Sequence, residues 1–188
     1  IGVIGLGYVG LTLGLILADA GFKVFGYDNN ARVMKKLRSG EPHFFENGLS
    51  ELLHDHYGKN LSLVKSFKGT ENCDVYIIAV GTPLSDKKKP RLLYLKEAAE
   101  KVGAVLKRGD LVILRSTVPL GTTRRFVIPI LEKRSKLKAG EGFLIAFAPE
   151  RTAEGKALEE LRQIPQIIGG VNHRSSDLTS NIFNLVSP

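Results

Sequence analysis

The segment Gly5-Leu-Gly7-Tyr8-Val9-Gly10 joins a short apolar run, Ile1-Gly-Val-Ile4, to a helix-forming stretch, and Asp28 follows Gly10 by 18 residues. These residue types at these spacings can hold a phosphate and a sugar. Gly5 makes a tight turn, Gly7 lets backbone approach a pyrophosphate, and Gly10 lets helix and strand pack closely. The N–H groups of the helix start face the phosphates with the positive end of the helix dipole behind them. Asp28 ends a second apolar run, Lys23-Val-Phe-Gly-Tyr27. That is near the spacing of roughly 20 residues expected of the carboxylate that binds the adenosine ribose hydroxyls. Its negative charge repels a 2′-phosphate, so the pattern points to NAD rather than NADP. Arg32 could hold such a phosphate only once Asp28 is neutralised or turned away. A plainer reading also stands, in which Asp28 caps a helix beginning near Asn30.

Three further positions share one arrangement, a polar residue beside a proline at the end of an apolar run. They are Val80-Gly81-Thr82-Pro83, Arg115-Ser116-Thr117-Val118-Pro119 and Phe147-Ala148-Pro149-Glu150. Proline stops a strand ladder, so the adjacent hydroxyl or carboxylate is presented at the sheet edge. In an open parallel sheet, ligands bind beyond the carboxyl ends of the strands. A carboxylate against an apolar wall has a raised pKa and can act as a base, which is the expectation for Glu150. Thr82 and Thr117 also read as ordinary turn residues, and Glu150 as a helix-start or salt-bridge carboxylate.

The elements that must position these groups alternate in type. Strands are expected at Ile1–Ile4, Lys23–Tyr27, Leu61–Val64, Cys73–Val80, Leu111–Leu114, Phe143–Phe147 and Pro165–Gly169. Helices are expected after Gly7, over Asn30–Arg38, Leu49–Tyr57, Leu92–Leu106 and Gly121–Glu132 with a kink at Pro129, and around Ser176–Leu185. Continuous apolar strands alternating with helices indicate an α/β fold, a doubly wound, mostly parallel, Rossmann-like sheet covered on both faces. Phe44-Phe45 after Pro42 is expected to plug the surface beside the nucleotide cleft, and a substrate-gating loop is the other reading.

Composition fits one soluble domain: 43% hydrophobic and 24% charged residues over 188 positions suffice for a single substantial core. The longest apolar stretch, Tyr8 to Ala18, is too short to cross a bilayer. No membrane partner or signal peptide is therefore expected, and a single cysteine suits a reducing cytoplasm. The net charge of +8 comes from runs such as Lys87-Lys-Lys89 and Arg124-Arg125. Without aromatic interleaving these read as solvated surface, and no nucleic-acid partner is expected. His54 and His56 stand two apart and do not share a helix face, so no metal site is expected. Ile1 already lies inside a strand, and no closing element follows Phe183-Asn-Leu-Val-Ser187, which suggests a domain cut from a longer polypeptide.

Taken together, Gly5-Leu-Gly-Tyr-Val-Gly-Leu11, Gly81-Thr-Pro83, Ser116-Thr-Val-Pro119 with Gly121-Thr122, and Pro149-Glu150 resemble the N-terminal NAD-binding domain of nucleotide-sugar 6-dehydrogenases. The resemblance spans essentially the whole chain. Pro149-Glu-Arg151-Thr152-Ala-Glu-Gly155 through Pro165-Gln-Ile-Ile-Gly-Gly170 is most similar to the UDP-N-acetylhexosamine branch, with Arg151-Thr152 the discriminating pair. The resemblance implies oxidation of a sugar C6 alcohol to the uronate with two NAD, through an aldehyde captured by a cysteine and a thioester that is hydrolysed. It implies NAD contacts from Gly5, Gly7, Tyr8, Val9, Gly10, Asp28, Arg32, Gly81, Thr82, Pro83, Ser116 and Thr117. Thr117 and Glu150 would hold the water used in catalysis, Glu150, Arg151 and Thr152 would border the UDP-sugar, and Glu154-Gly155 would shape the turn against it.

Residues 1–188 then read as one NAD-binding domain whose final helix, about 173–188, leads to a central helical domain through which a homodimer forms. Two departures matter. Thr12 stands where the family commonly has proline. The family's nucleophilic cysteine and catalytic lysine lie beyond this chain, since Cys73 begins a buried strand and reads as a small core residue. The chain is accordingly expected to bind NAD without turning over, within a surface-polysaccharide pathway. A non-catalytic NAD-sensing module and a UDP-glucose 6-dehydrogenase remain as alternatives.

Overall fold

Successive side chains of a strand point to opposite faces of its sheet, and the central apolar runs use both faces. Val3, Ile77, Ile113 and Leu144 enter one buried cluster, while Ile4, Tyr76, Ile78, Val112, Leu114 and Ile145 enter the other. The computed structural model describes residues 1–187. It contains strands β1 (Gly2–Ile4), β2 (Val24–Tyr27), β3 (Leu61–Leu63), β4 (Val75–Ile78), β5 (Leu111–Leu114), β6 (Leu144–Phe147) and β7 (Gly169–Gly170). They form one sheet in the order β3-β2-β1-β4-β5-β6-β7. Neighbours are parallel throughout except that β7 runs antiparallel to β6. This is the mostly parallel α/β sheet that the apolar runs imply.

Helices α1 (Tyr8–Asp19), α2 (Ala31–Arg38), α3 (Leu49–His56), α6 (Ala157–Gln163) and α7 (His173–Phe183) cover the first face. Helices α4 (Leu93–Val105) and α5 (Ile128–Ser135) cover the second. Every residue of α1 from Gly10 to Ala18 is buried, because α3 and α6 pack over the side that the sheet does not cover. The long apolar stretch is thus a core helix. Among the described residues, no helix is long and apolar enough to cross a membrane.

The strand order reverses between β1 and β4, which pair in register with Ile4 opposite Ile78. The glycine turn after β1 and the Gly81-Thr82-Pro83 segment after β4 therefore leave the sheet side by side. Such a switch point opens a crevice beyond the strand ends.

Several elements differ from the sequence reading. The last strand occupies Gly169–Gly170 rather than 165–169. Pro165 has no N–H to give a ladder, and the Gln166 side chain bonds instead to Arg115 and to the Ile164 carbonyl. Helix α7 begins at His173, where the broader reading of about 173–188 places it and before Ser176, because Asn172 accepts the Ser175 N–H at 2.9 Å as its cap, and it ends at Phe183. Its expected extent to 188 ends on a residue outside the described ones. Helix α6 was not foreseen, nor was the 3₁₀ turn Phe67–Thr70. Pro129 does not kink a continuous helix. A π-helical turn over Thr123–Val127 runs into α5, and Pro129 sits in the first turn of α5, where a missing N–H costs little.

Among the described glycines the tightest approach is where the start of α1 passes the turn after β1. A β-carbon built on Gly10 would lie 1.8 Å from the Gly5 carbonyl oxygen. Gly10→Ala is expected to destabilise the chain by at least about 1–3 kcal/mol, read as a lowered urea midpoint. Gly14→Ala in the same helix, whose β-carbon would meet Val3 at 3.6 Å and Val24 at 3.7 Å, should keep the midpoint or raise it slightly.

Candidate functional site

The turn between β1 and α1 is built by backbone. Gly5 has φ +90°, and a β-carbon there would stand 2.8 Å from the Ala79 carbonyl oxygen. Gly7 faces open space to 4 Å, so a ligand can come directly against the chain. The Leu11 N–H donates to the Gly7 carbonyl at 3.0 Å, and the N–H groups ahead of it are the open donors of a helix start. No acidic residue occupies that first turn, which keeps it fit for an anion.

Asp28 is locked beside this turn. Its Oδ2 accepts the Leu6 N–H at 2.7 Å, and its Oδ1 accepts the Asn30 N–H at 2.7 Å. The capping residue of α2 is Asn30 rather than Asp28, accepting from the Arg32 and Val33 N–H groups. Asp28 lines a cleft of about 460 Å³ together with Gly5, Gly7, Gly81, Tyr94 and Lys101. Lys101 Nζ donates to the Tyr27 hydroxyl at 3.0 Å and lies over that ring, 4.9 Å from its centre. Arg32 stands exposed at the start of α2, outside the cleft lining.

The next two strand ends are stitched together. The Thr82 hydroxyl donates to the Thr117 carbonyl at 2.6 Å. Thr117 itself is exposed and Pro83 and Gly81 are open to solvent. Ser116, expected to touch the cofactor, is turned inward instead: it is buried, and its hydroxyl donates to the Val80 carbonyl at 2.7 Å. It fixes the relative height of the two strand ends through the backbone.

At the third strand end the expectation of a proton-hungry Glu150 is overturned. Arg115, fully buried, donates from Nη2 to Glu150 Oε2 at 2.7 Å. Glu150 Oε1 accepts the N–H groups of Arg151 at 2.7 Å and Thr152 at 2.9 Å. Burial pushes the carboxyl up, but the Arg115 charge and the two N–H donors outweigh it and hold Glu150 below the usual glutamate range. The salt-bridge reading of this residue is the one the structure contains. Arg115 also donates from Nη1 to the Ala148 carbonyl at 3.0 Å and Gln166 Oε1 at 2.8 Å, and packs against the Phe183 ring. Arg151 donates to the Pro165 carbonyl, and the Thr152 hydroxyl is buried without a partner.

Two residues central to this geometry escaped the sequence reading. Arg115 had a signal: a cation directly after Leu111-Val-Ile-Leu114, at a buried strand end, demands a counter-ion. Glu46 had a weaker one, a carboxylate next to Phe44-Phe45; it is buried and receives the Tyr8 hydroxyl at 2.5 Å. Burial and that bond to Glu46 raise the Tyr8 pKa. Phe44 packs its ring on Tyr8, centres 5.0 Å apart, whereas Phe45 is almost fully exposed and plugs nothing. Cys73 is buried just before β4, and burial raises its thiol pKa.

Residues 1–187 match the model of the UDP-glucose/GDP-mannose dehydrogenase family, NAD binding domain. A UDP-N-acetyl-D-mannosamine dehydrogenase of Pyrococcus horikoshii is 39% identical over 97% of the chain, which covers 44% of that relative. A UDP-N-acetyl-D-glucosamine 6-dehydrogenase of Pseudomonas aeruginosa is 34% identical over 97% of the chain and is covered to 42%. The solved UDP-D-ManNAc dehydrogenase of P. horikoshii superposes with a TM-score of 0.95 at 36% identity, over 99% of this chain and 44% of that one. The chain thus spans less than half the length of the relatives it matches.

The buried pair makes a testable account of stability. Arg115→Met, which strands Glu150 without its cation, should cost about 3–5 kcal/mol in chemical denaturation. Adding Glu150→Gln should recover part of that loss rather than double it. Because the folded pKa of Glu150 is lowered, its contribution is complete above the ordinary glutamate value of about 4.3. It fades as the pH falls through the folded value, and Glu150→Gln should flatten that acid limb.

Proposed function

The chain belongs to the UDP-glucose/GDP-mannose dehydrogenase family as its NAD-binding domain, and from that membership we propose that the protein containing it is a UDP-N-acetylhexosamine 6-dehydrogenase. The observation that carries the reading is the continuous rim from the Gly5–Gly10 turn and Asp28, through Thr82 and Thr117, to Glu150-Arg151-Thr152. The acetamido-sugar relatives support the substrate class.

The residues fit a dinucleotide. The open helix start and the bare face of Gly7 would take the diphosphate at the backbone of Tyr8, Val9 and Gly10. Asp28, held by two N–H groups, would accept from the ribose hydroxyls. NAD, when bound, supplies the hydride acceptor for both oxidation steps. Thr82 sets the height of the Thr117 carbonyl, and the Thr117 side chain stands free at the rim to hold a water. Glu150, kept anionic by Arg115, accepts from that water and fixes its direction, which suits it to orienting a nucleophile and receiving a proton transiently rather than storing one. Arg151 and Thr152 border the sugar. Arg32 stands at the start of α2, outside the cleft lining, from where its side chain would reach toward the adenosine end.

In this reading the chain is a single domain whose last helix leads to the region carrying the nucleophilic cysteine and catalytic lysine, with dimerisation there too. The reaction belongs to polysaccharide precursor synthesis in the cytoplasm.

A substrate panel on the full-length protein, following NADH absorbance, tests the assignment: turnover is expected with at least one of UDP-GlcNAc, UDP-GalNAc and UDP-ManNAc. Activity confined to UDP-glucose or GDP-mannose would refute it. Asp28→Asn, which retains an acceptor for the Leu6 N–H, should weaken NAD binding about 10- to 100-fold and narrow the preference over NADP. Unchanged titrations with both cofactors would count against the ribose role.

A further inference from the structure

A polar knot around one buried carboxylate joins the dinucleotide turn to the loop after Glu150. Glu46, only 4% exposed, lies between α2 and α3. Its Oε2 accepts the Tyr8 hydroxyl at 2.5 Å and the Gly155 N–H at 2.8 Å. The same N–H reaches the Tyr8 hydroxyl oxygen at 3.0 Å. The neighbouring Asn47 donates from Nδ2 to the Gly155 carbonyl at 3.2 Å. Two consecutive side chains therefore grip both polar groups of one glycine. Gly155 has φ +86°, and a β-carbon built there would meet nothing within 4 Å; the polar contacts from Glu46, Asn47 and Tyr8 hold its backbone. Tyr8 stands at the other end of the knot. Its backbone opens α1 at the phosphate-facing turn, while its side chain is committed 147 residues away.

We propose that Tyr8 and Glu46 are positioning residues that couple the two halves of the site, so that filling the dinucleotide turn fixes the loop carrying Glu150, Arg151 and Thr152. The coupling rests on the reading of that loop as the sugar-facing segment. Glu46 Oε1 and the Thr152 hydroxyl are both buried without partners. A buried polar atom left unpaired costs about 1–3 kcal/mol, and Tyr8 and Gly155 meet that demand at the other oxygen of Glu46. The geometry also transmits motion: a shift of Tyr8 displaces one acceptor of the Gly155 N–H and pulls on the other.

The test uses the full-length protein and three variants. Glu46→Leu removes the acceptor at similar volume, Glu46→Gln retains it, and Tyr8→Phe removes only the hydroxyl. Glu46→Leu and Tyr8→Phe should raise the KM for the nucleotide sugar about 10-fold while the KM for NAD moves less than about 3-fold, and Glu46→Gln should restore most of the loss. Independently of turnover, NAD should slow hydrogen exchange at the Gly155 amide in the wild type and not in Tyr8→Phe. Equal protection in both, or none in the wild type, overturns the coupling. So does a parallel rise of both KM values with a fallen denaturation midpoint. Should Glu46→Leu fail to fold, Tyr8→Phe carries the same comparison. If the wild type oxidises no nucleotide sugar, the substrate assignment fails while the exchange measurement still decides the coupling.

Discussion

Where Gly10 passes Gly5, a carbonyl oxygen fills the space in which any other residue would carry its β-carbon. This contact brings the start of α1 down onto the end of β1 and aims its free N–H groups over the switch point. The body of α1 is then buried between the sheet and helices α3 and α6. The cleft, the position of Asp28 and the reach of Tyr8 all take their reference from it. Glycine at two positions thus determines what the other residues of the rim can touch.

The opposite end of the rim is governed by charge rather than close packing. Arg115 would be untenable at a buried strand end without Glu150, Gln166 and the Ala148 carbonyl around its guanidinium. The same grouping gives Glu150 a fixed direction and a settled negative charge. Its chemistry is that of an acceptor held in place. The physical setting that suggested a raised pKa, an apolar surrounding, is real, but a cation placed inside that surrounding reverses its effect.

Much of this was legible in the residues because it is local. The glycine spacing, Asp28 at the end of β2 and the apolar strands with both faces buried are read within windows of a few residues. They lead directly to the sheet and its switch point. Glu46 and Arg115 escaped because their meaning depends on partners 109 and 35 positions away. The inward turn of Ser116 was hidden for the opposite reason: its neighbours in sequence suggested the rim, while its hydroxyl found the Val80 carbonyl at the end of the adjacent strand. The direction of β7 was likewise invisible, since two glycines carry no side-chain pattern to set a register.

That short seventh strand protects the molecule from its own sheet. A parallel sheet ending at β6 would offer a four-residue row of unsatisfied N–H and C=O groups, a template for pairing with another chain. Gly169 and Gly170 pair with Phe147 and Ala146 of that row as a reversed stub only two residues long. Just behind it the chain is pressed so tightly against Ser176 that a β-carbon on Gly170 would fall 2.5 Å from the Ser176 nitrogen. The edge on this side of the sheet is thereby shortened from the four residues of β6 to the two of β7, which leaves another chain little backbone to pair with.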